Sequence, residues 1–269
     1  MDSRLIGVIL LITGTSIGGG MLALPLATAA SGYLHSLVVF ISAWVVTMLG
    51  AYLILEVNLW LEADTNLISM AKRTLGSAGQ IVTWLSYLML LYSLLAAYIA
   101  GGTDLFSYIF HYLDCNMPAW GDSILFTVIL GAVVYLGIRT LDLVNRGLMT
   151  IKLAAYVILI AAIVPHIHFS LLAQGEWRYL SGAVLVVVTA FGYAIIVPSL
   201  RTYFDGNVKK LRTAIFVGSL IPLVCYLLWN CAVIGSVPSE GSNGLIEIAK
   251  SEHSISGLTA LISQTYGIK

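Results

Sequence analysis

The sequence predicts an all-α membrane protein with about seven spans. Of its 269 residues, 59% are hydrophobic and only 10% are charged, whereas soluble domains are about 25% charged. Five long stretches contain no Asp, Glu, Lys or Arg: residues 5–55, 74–103, 153–175, 179–200 and 213–239. A helix crosses a bilayer with about 20 apolar residues. Each stretch is therefore long enough to hold at least one span.

The first uncharged stretch is long enough for two spans, and the turn signal Ser31-Gly32 divides it. The predicted spans are residues 5–30, 34–61, 80–108, 123–138, 147–171, 180–203 and 211–235. The fourth is short and crosses only a thinned membrane. A cleaved signal peptide is the alternative for the first span, because Arg4 precedes it and Ala27-Thr28-Ala29 resembles a cleavage site. The apolar part continues too far for that reading.

The distribution of basic residues predicts the orientation. With the N-terminus in the cytoplasm, ten of the 13 Lys and Arg residues fall on the inside: Arg4, Lys72, Arg73, Arg139, Arg146, Lys152, Arg201, Lys209, Lys210 and Arg212. Only Arg178, Lys250 and Lys269 fall outside. The positive-inside rule favours this arrangement. We therefore expect a multi-pass protein of the cell inner (plasma) membrane, surrounded by the lipid bilayer, with a cytoplasmic N-terminus.

Span one contains a run that is unfavourable for a helix, Thr-Gly-Thr-Ser-Ile-Gly-Gly-Gly at residues 13–20, followed by Pro25. By helical rise the run lies roughly 15 to 22 Å into a core of about 30 Å. Free backbone groups at that depth are tolerated only where they face protein, water or a ligand. The run therefore predicts a break beside a polar cavity. The alternative is a Gly14/Gly18 packing seam on an unbroken helix.

Span six has a second irregularity, because Gly192 and Pro198 bracket its middle. A simple proline kink is the alternative here. Interruptions at corresponding positions of two halves are typical of transporters whose inverted repeats share a midplane site. This pairing predicts that residues 1–178 form a first repeat of spans one to five. Residues 179–269 then begin a second repeat.

At these residues the chain resembles the hydroxy and aromatic amino acid permease family, the bacterial tryptophan- and tyrosine-specific permeases of the amino acid-polyamine-organocation superfamily. The matching segments are residues 14–25 (GTSIGGGMLALP), 55–58 (LEVN), 191–193 (FGY) and 197–200 (VPSL). The resemblance implies a five-plus-five inverted-repeat fold of about eleven spans, here truncated after about seven. It also implies import of tyrosine or tryptophan by secondary active transport, with the proton as coupling ion and no cofactor.

The end of the chain on a polar segment after span seven leads us to expect that the remaining helices are missing. Two alternatives follow. The missing helices are supplied by a second chain, or the protein is a truncated or split permease fragment without autonomous transport. A non-transporting helical scaffold or channel subunit is the remaining alternative, although paired broken helices argue against a channel.

We expect the substrate carboxylate to bind N–H groups near Gly18 to Met21, where helix one restarts. Carbonyls around Thr13 to Thr15 and Phe191 to Tyr193 would accept from the ammonium. Tyr98 and the span-six aromatics are candidates for an aromatic wall, with ordinary packing as the alternative, which we expect for most other tyrosines. The predicted substrate-binding set is Thr13, Gly14, Thr15, Gly18, Gly19, Gly20, Met21, Tyr98, Phe191, Gly192 and Tyr193.

Two charged residues are candidates for proton coupling. Lys152 lies about 9 Å deeper than Arg146 by helical rise, and it resembles a span-five lysine that replaces a coupling sodium ion in some members of the superfamily. Its alternative is snorkelling to the surface. Glu56 is expected to pair with Lys152 or to gate the inner vestibule, with simple solvation as its alternative.

Other functions have little support. The sequence has no nucleophile elbow and no cluster of acids and histidines, so we expect no enzyme activity. The zero formal charge gives no reason to expect nucleic-acid binding. His166 and His168 lack partners in a metal-ligand spacing, and we expect no metal site.

Overall fold

The computed structural model describes residues 3–18, 20–62, 65–112, 118–204, 206–241, 244–250, 257–258 and 261–262. Across these ranges the chain is helical and contains no strand. The α-helices are α1 (Ser3–Ser16), α2 (Gly20–Thr28), α3 (Tyr33–Leu59), α4 (Leu67–Tyr112), α5 (Ala119–Tyr135), α6 (Ile138–Ile163), α7 (Phe169–Leu172), α8 (Leu180–Ala190), α9 (Val197–Tyr203), α10 (Val208–Ser236) and α11 (Leu245–Lys250). Short 3₁₀ segments follow α6 (Val164–His166), precede α8 (Trp177–Tyr179) and separate α8 from α9 (Gly192–Ile196).

The helices confirm the predicted all-α membrane architecture. Five helical segments among the described residues are long and apolar enough to span a bilayer: Tyr33–Leu59, Leu67–Thr103, Thr140–His166, Trp177–Tyr203 and Val208–Ser236. The fourth of these segments combines α8 and α9 with the 3₁₀ segments beside them. Arg4–Ser16 and Gly20–Thr28 make a sixth candidate as a pair bent by 50°. Trp120–Tyr135 is apolar but shorter, as the sequence predicted for the fourth span. The five-plus-five repeat itself stays a prediction.

One predicted helix start is wrong by nine residues, because α6 begins at Ile138 rather than 147. α4 begins at Leu67, but a non-helical residue, Gly76, divides it, and the part after Gly76 starts close to the predicted residue 80. Helix α6 extends through charged residues beyond its apolar part, because a helix needs hydrophobic side chains only at bilayer depth. In α6 an Arg146–Asp142 ion pair of 2.8 Å, one turn apart, stabilises this extension.

The chain forms two compact units, residues 1–56 with 148–269 and residues 57–147. In the second unit α4 packs against α5. Gly76, with φ 75°, divides α4 into two helical parts. Near the other end of α4, Ser107 donates a 2.5 Å hydrogen bond to Asp122 at the start of α5. A Cβ atom at Gly102 would lie 2.3 Å from the ring of Phe126, so only glycine leaves room for that ring.

The first unit is organised around α10, the most buried of the five long helices. α1, α2 and α7 all pack against it, and α2 also packs against α8. Asn230 of α10 joins two neighbouring helices: it accepts from Thr28 at 2.8 Å and donates to Ser36 at 2.9 Å. These three side chains are fully buried, so each polar group finds its partner inside the protein.

The predicted turn at Ser31-Gly32 separates α2 from α3. Gly32 has φ 74°, and a Cβ atom there would lie 1.7 Å from the carbonyl oxygen of Gln174. Gly175 approaches from the other side with φ 110°, and Glu176 donates from its N–H to the carbonyl of Ala30 at 3.1 Å. Only glycine fits this close backbone crossing.

Candidate functional site

The helix of span one is interrupted between Ser16 and Gly20, inside the predicted run. Ile17 still donates to Thr13 in the helical pattern, at 2.8 Å, but the N–H of Gly18 turns to the carbonyl of Ser16, also at 2.8 Å. The carbonyl of Gly14 thereby loses the donor that a continuing helix would give it. The chain re-enters a helix with Met21 donating to Gly18 at 3.2 Å.

The restart of the helix presents backbone donors. No carbonyl among the described residues accepts from the N–H groups of Gly20 or Leu22, and Gly20 is exposed. Close by in the chain, the Ser16 hydroxyl is buried and has no hydrogen-bond partner in the described part of the protein. Donors without a partner among the described residues and the positive end of α2 together attract a negatively charged group.

The structure reduces the number of predicted substrate-binding residues on α1 that have free polar groups. The Thr13 carbonyl accepts a hydrogen bond from the N–H of Ile17. The Thr13 side chain is fully buried, and its hydroxyl donates to the carbonyl of Gly218 at 3.1 Å. Thr15 donates to Leu11 at 2.7 Å within its own helix. The expectation of a released carbonyl at Thr13 is therefore wrong, because the helix continues for three residues past it. Gly19 lies outside the described residues.

Span six departs from α-helix without opening fully. α8 ends at Ala190, Phe191 has φ −99° and ψ 33°, and a 3₁₀ segment follows. The N–H of Tyr193 donates to the carbonyl of Phe191 at 2.9 Å, so this predicted acceptor is already engaged. Pro198 stands in the first turn of α9, where its missing N–H costs no hydrogen bond. Pro198 therefore lies at a helix start, which disfavours a simple proline kink, the alternative for span six.

The span-six aromatics lie in the protein core. Phe191 is 1% exposed, and its ring meets Tyr226 edge-on with centroids 5.2 Å apart. Tyr193 is fully buried, and its hydroxyl has no hydrogen-bond partner among the described residues. Gly192, between them, is exposed. The 3₁₀ segment packs against α1, so the structure brings both interruptions together.

Tyr226 of α10 lies between the two interruptions, and the sequence analysis did not single it out. Its hydroxyl is 2.7 Å from the carbonyl oxygen of Ser16 and 2.9 Å from that of Ala190. These are the last residues of α1 and α8. The available signal was a tyrosine in the middle of an uncharged span, where a hydroxyl requires a partner.

Lys152 reaches the interruption of span one. Its ammonium donates to the carbonyl of Ile17, the residue after the end of α1. One turn later on α6, the hydroxyl of Tyr156 donates to the carbonyl of Cys225 at 2.7 Å. In this structure the Lys152 ammonium is therefore bound to a backbone carbonyl inside the protein.

Glu56 does not pair with Lys152 as expected. Its carboxylate lies 3.7 Å from the guanidinium of Arg212, and both side chains are about half exposed. The two residues come from α3 and the start of α10, whereas Lys152 is engaged at Ile17. Tyr98 is exposed and lies on α4 in the second unit, so its predicted role stays a prediction.

Comparison with known proteins gives a consistent result. Residues 1–268 match the model of the tryptophan/tyrosine permease family. The chain is similar to the tyrosine-specific transport systems 1 and 2 of Haemophilus influenzae, with 35% and 31% identity over 95% and 96% of the chain. It is also 30% identical to glutamine transporter 2 of Aliivibrio fischeri over 89% of the chain. The chain spans 63%, 64% and 63% of these three relatives.

Proposed function

The chain belongs to the tryptophan/tyrosine permease family, and from this premise we propose that it takes part in importing an aromatic amino acid, tyrosine or tryptophan, by proton symport. As a member of a permease family with several apolar helices, it is a multi-pass membrane protein and not an enzyme. The observation that carries the proposed site is the interruption between Ser16 and Gly20, beside which the N–H groups of Gly20 and Leu22 have no acceptor among the described residues.

The substrate carboxylate binds where α2 begins. The N–H groups of Gly20 and Leu22 have no acceptor among the described residues, and the dipole of α2 adds positive potential there. The Ser16 hydroxyl is a third donor without a partner in the described protein. Of these donors the Ser16 hydroxyl is buried; a buried donor left unpaired costs about 1–3 kcal/mol, so a carboxylate that accepts from Ser16 recovers that free energy.

The substrate ammonium binds at the C-terminal end of α1, where the partial charge is negative. α1 ends at Ser16, so its last carbonyls point toward the interruption with the negative end of the helix dipole. The Gly14 carbonyl has lost its helical donor to the turn at Gly18. Gly192 adds an exposed backbone position on span six. A zwitterion thus finds donors and acceptors on the two sides of one interruption, as in discontinuous-helix transporters.

Lys152 couples proton movement to this site. A charged ammonium makes a stronger hydrogen bond to a carbonyl than a neutral amine does. Loss of the proton weakens the contact between Lys152 and Ile17 and so loosens the helix end at the substrate site. Lys152→Ala is expected to make uptake insensitive to pH. A pH dependence identical to that of the wild type would exclude this role.

The experiment is uptake of labelled amino acid by the 269-residue chain reconstituted in proteoliposomes. We expect uptake of tyrosine or tryptophan that increases with an inward proton gradient, and less uptake of glutamine. Gly18→Leu should abolish substrate binding, whereas Gly182→Leu should not, because Gly182 is exposed on α8 with open space around it. Preferred uptake of glutamine, or equal effects of both variants, would contradict the proposal.

The topology belongs to the same proposal. We infer an inner-membrane protein with a cytoplasmic N-terminus, supported by the nine basic residues other than Lys152 that this orientation places on the inside. Residues 1–178 would form the first repeat, and residues 179–269 would form the start of the second. Cysteine labelling from each side of the membrane tests this: a cysteine placed near Lys72 should react only from the cytoplasm and one near Arg178 only from outside.

A further inference from the structure

The two interrupted helices end at one side chain of a third helix. α1 ends at Ser16 and α8 ends at Ala190, and the carbonyl oxygens of both residues lie within hydrogen-bonding distance of the Tyr226 hydroxyl, at 2.7 and 2.9 Å. Tyr226 is fully buried. The hydroxyl oxygen of Tyr226 therefore bridges the two helix ends.

The hydrogen bonding of the Tyr226 hydroxyl depends on the positions of both helix ends. Both carbonyls belong to helix C-termini and carry partial negative charge, so they repel each other when close. A tyrosine hydroxyl has one proton to donate. It can form a strong hydrogen bond to either carbonyl, or share the proton between them, but it cannot satisfy both fully. A shift of either helix end consequently changes the bond to the other.

The ring of Tyr226 is held as firmly as its hydroxyl. Phe191, the residue at the start of the span-six irregularity, packs edge-on against it at 5.2 Å, and Phe40 of α3 lies tilted at 6.4 Å. Phe40 and Phe191 are both buried. These contacts leave the hydroxyl little freedom to follow one helix end away from the other.

We propose that Tyr226 is a positioning residue that links the two interrupted helices and sets the spacing of the backbone groups that bind the substrate. This inference rests on the proposed function for the substrate, but the link between the helix ends is a property of the protein alone. Tyr226 does not bind the amino acid; it acts through the ends of α1 and α8.

Tyr226→Phe removes only the hydroxyl and keeps the ring that packs against Phe191 and Phe40. We expect it to raise the KM for the transported amino acid about tenfold, with the maximal rate per folded protein nearly unchanged, because a binding interaction is weakened. Amide hydrogen exchange should accelerate on both sides, at Ile17 and Gly18 and at Phe191 and Tyr193.

Tyr156→Phe is the matched control. Its hydroxyl also donates to a helix carbonyl at 2.7 Å, that of Cys225, but Cys225 lies within α10 and not at an interruption. We expect this variant to leave the KM and the exchange at both interruptions unchanged. A wild-type KM in Tyr226→Phe, an equal rise in both variants, or faster exchange confined to α10 would overturn the proposal.

Two readouts separate this inference from the proposed function. If the wild-type protein takes up neither tyrosine nor tryptophan, the proposed function is wrong, and hydrogen exchange still decides whether Tyr226 links the helix ends. If the wild-type protein transports and Tyr226→Phe behaves like it in both measurements, only the role of Tyr226 is refuted.

Discussion

The contact between Thr13 and Gly218 leads to a prediction about stability. α10 contains Pro222, which has no N–H to donate to the carbonyl four residues earlier. That carbonyl belongs to Gly218, and the Thr13 hydroxyl donates to it at 3.1 Å across the helix pair. Thr13 is fully buried. A side chain of α1 thus supplies the donor that proline removes from α10.

Thr13→Val replaces the hydroxyl by a methyl group of similar shape and leaves the Gly218 carbonyl without this donor. An unsatisfied buried polar group costs about 1–3 kcal/mol of unfolding free energy. Pro222→Ala restores a backbone N–H opposite the same carbonyl. In that background Thr13→Val should cost less than about 0.5 kcal/mol, since the carbonyl then has a donor in its own helix.

The assay is a double-mutant cycle on the reconstituted protein, with the free energy of unfolding obtained from detergent-denaturant titration. Thr15→Val serves as the control, because its hydroxyl donates to Leu11 within one helix and its loss should cost little. If Thr13→Val is equally costly with Pro222 and with Ala at that position, the hydroxyl does not replace the missing N–H and the reasoning is refuted.

The remaining predictions concern a turn and an ion pair. Gly32→Ala should destabilise the protein far more than Gly76→Ala. Both glycines have φ near 75°, a conformation that costs about 1–3 kcal/mol for a residue with a Cβ atom. Only at Gly32 would the Cβ atom collide with a backbone atom, the Gln174 oxygen at 1.7 Å. Equal shifts in thermal unfolding midpoint would contradict this. Glu56→Gln should change stability by less than about 1 kcal/mol, because its 3.7 Å pair with Arg212 is half exposed; a larger loss in the same unfolding assay would show that the pair is structural. Lost uptake at unchanged stability would instead support the predicted gating role of Glu56.

Much of the helical layout could be predicted from local composition. The turn at Ser31-Gly32 lies where two spans had to be divided, and Gly32 adopts the positive φ that such a turn needs. The fourth span is short, as expected. The start of α6 was missed, because a scan for apolar residues detects the part of a helix in lipid and not the charged turns that continue it into water.

The interruption in span one shows how far the candidate site could be predicted. Its place followed from glycines and hydroxyl residues at bilayer depth, and the helix ends at Ser16 inside that run. Which groups are free did not follow. Thr13 and Phe191 were expected to offer carbonyls, yet each accepts a hydrogen bond from a nearby N–H. The choice between adjacent carbonyls depends on local backbone angles that glycine leaves open.

The sequence by itself determined that the chain is a helical membrane protein and where its helices are weak, because both properties follow from residue type along the chain: apolar side chains partition into lipid, and glycine and proline disfavour helix. The tertiary structure alone decided the partners. Lys152 bonds to Ile17 and not to Glu56, and Tyr226 joins the ends of α1 and α8. These contacts connect residues far apart in the chain. They depend on how helices rotate and pack against each other, which no local pattern encodes.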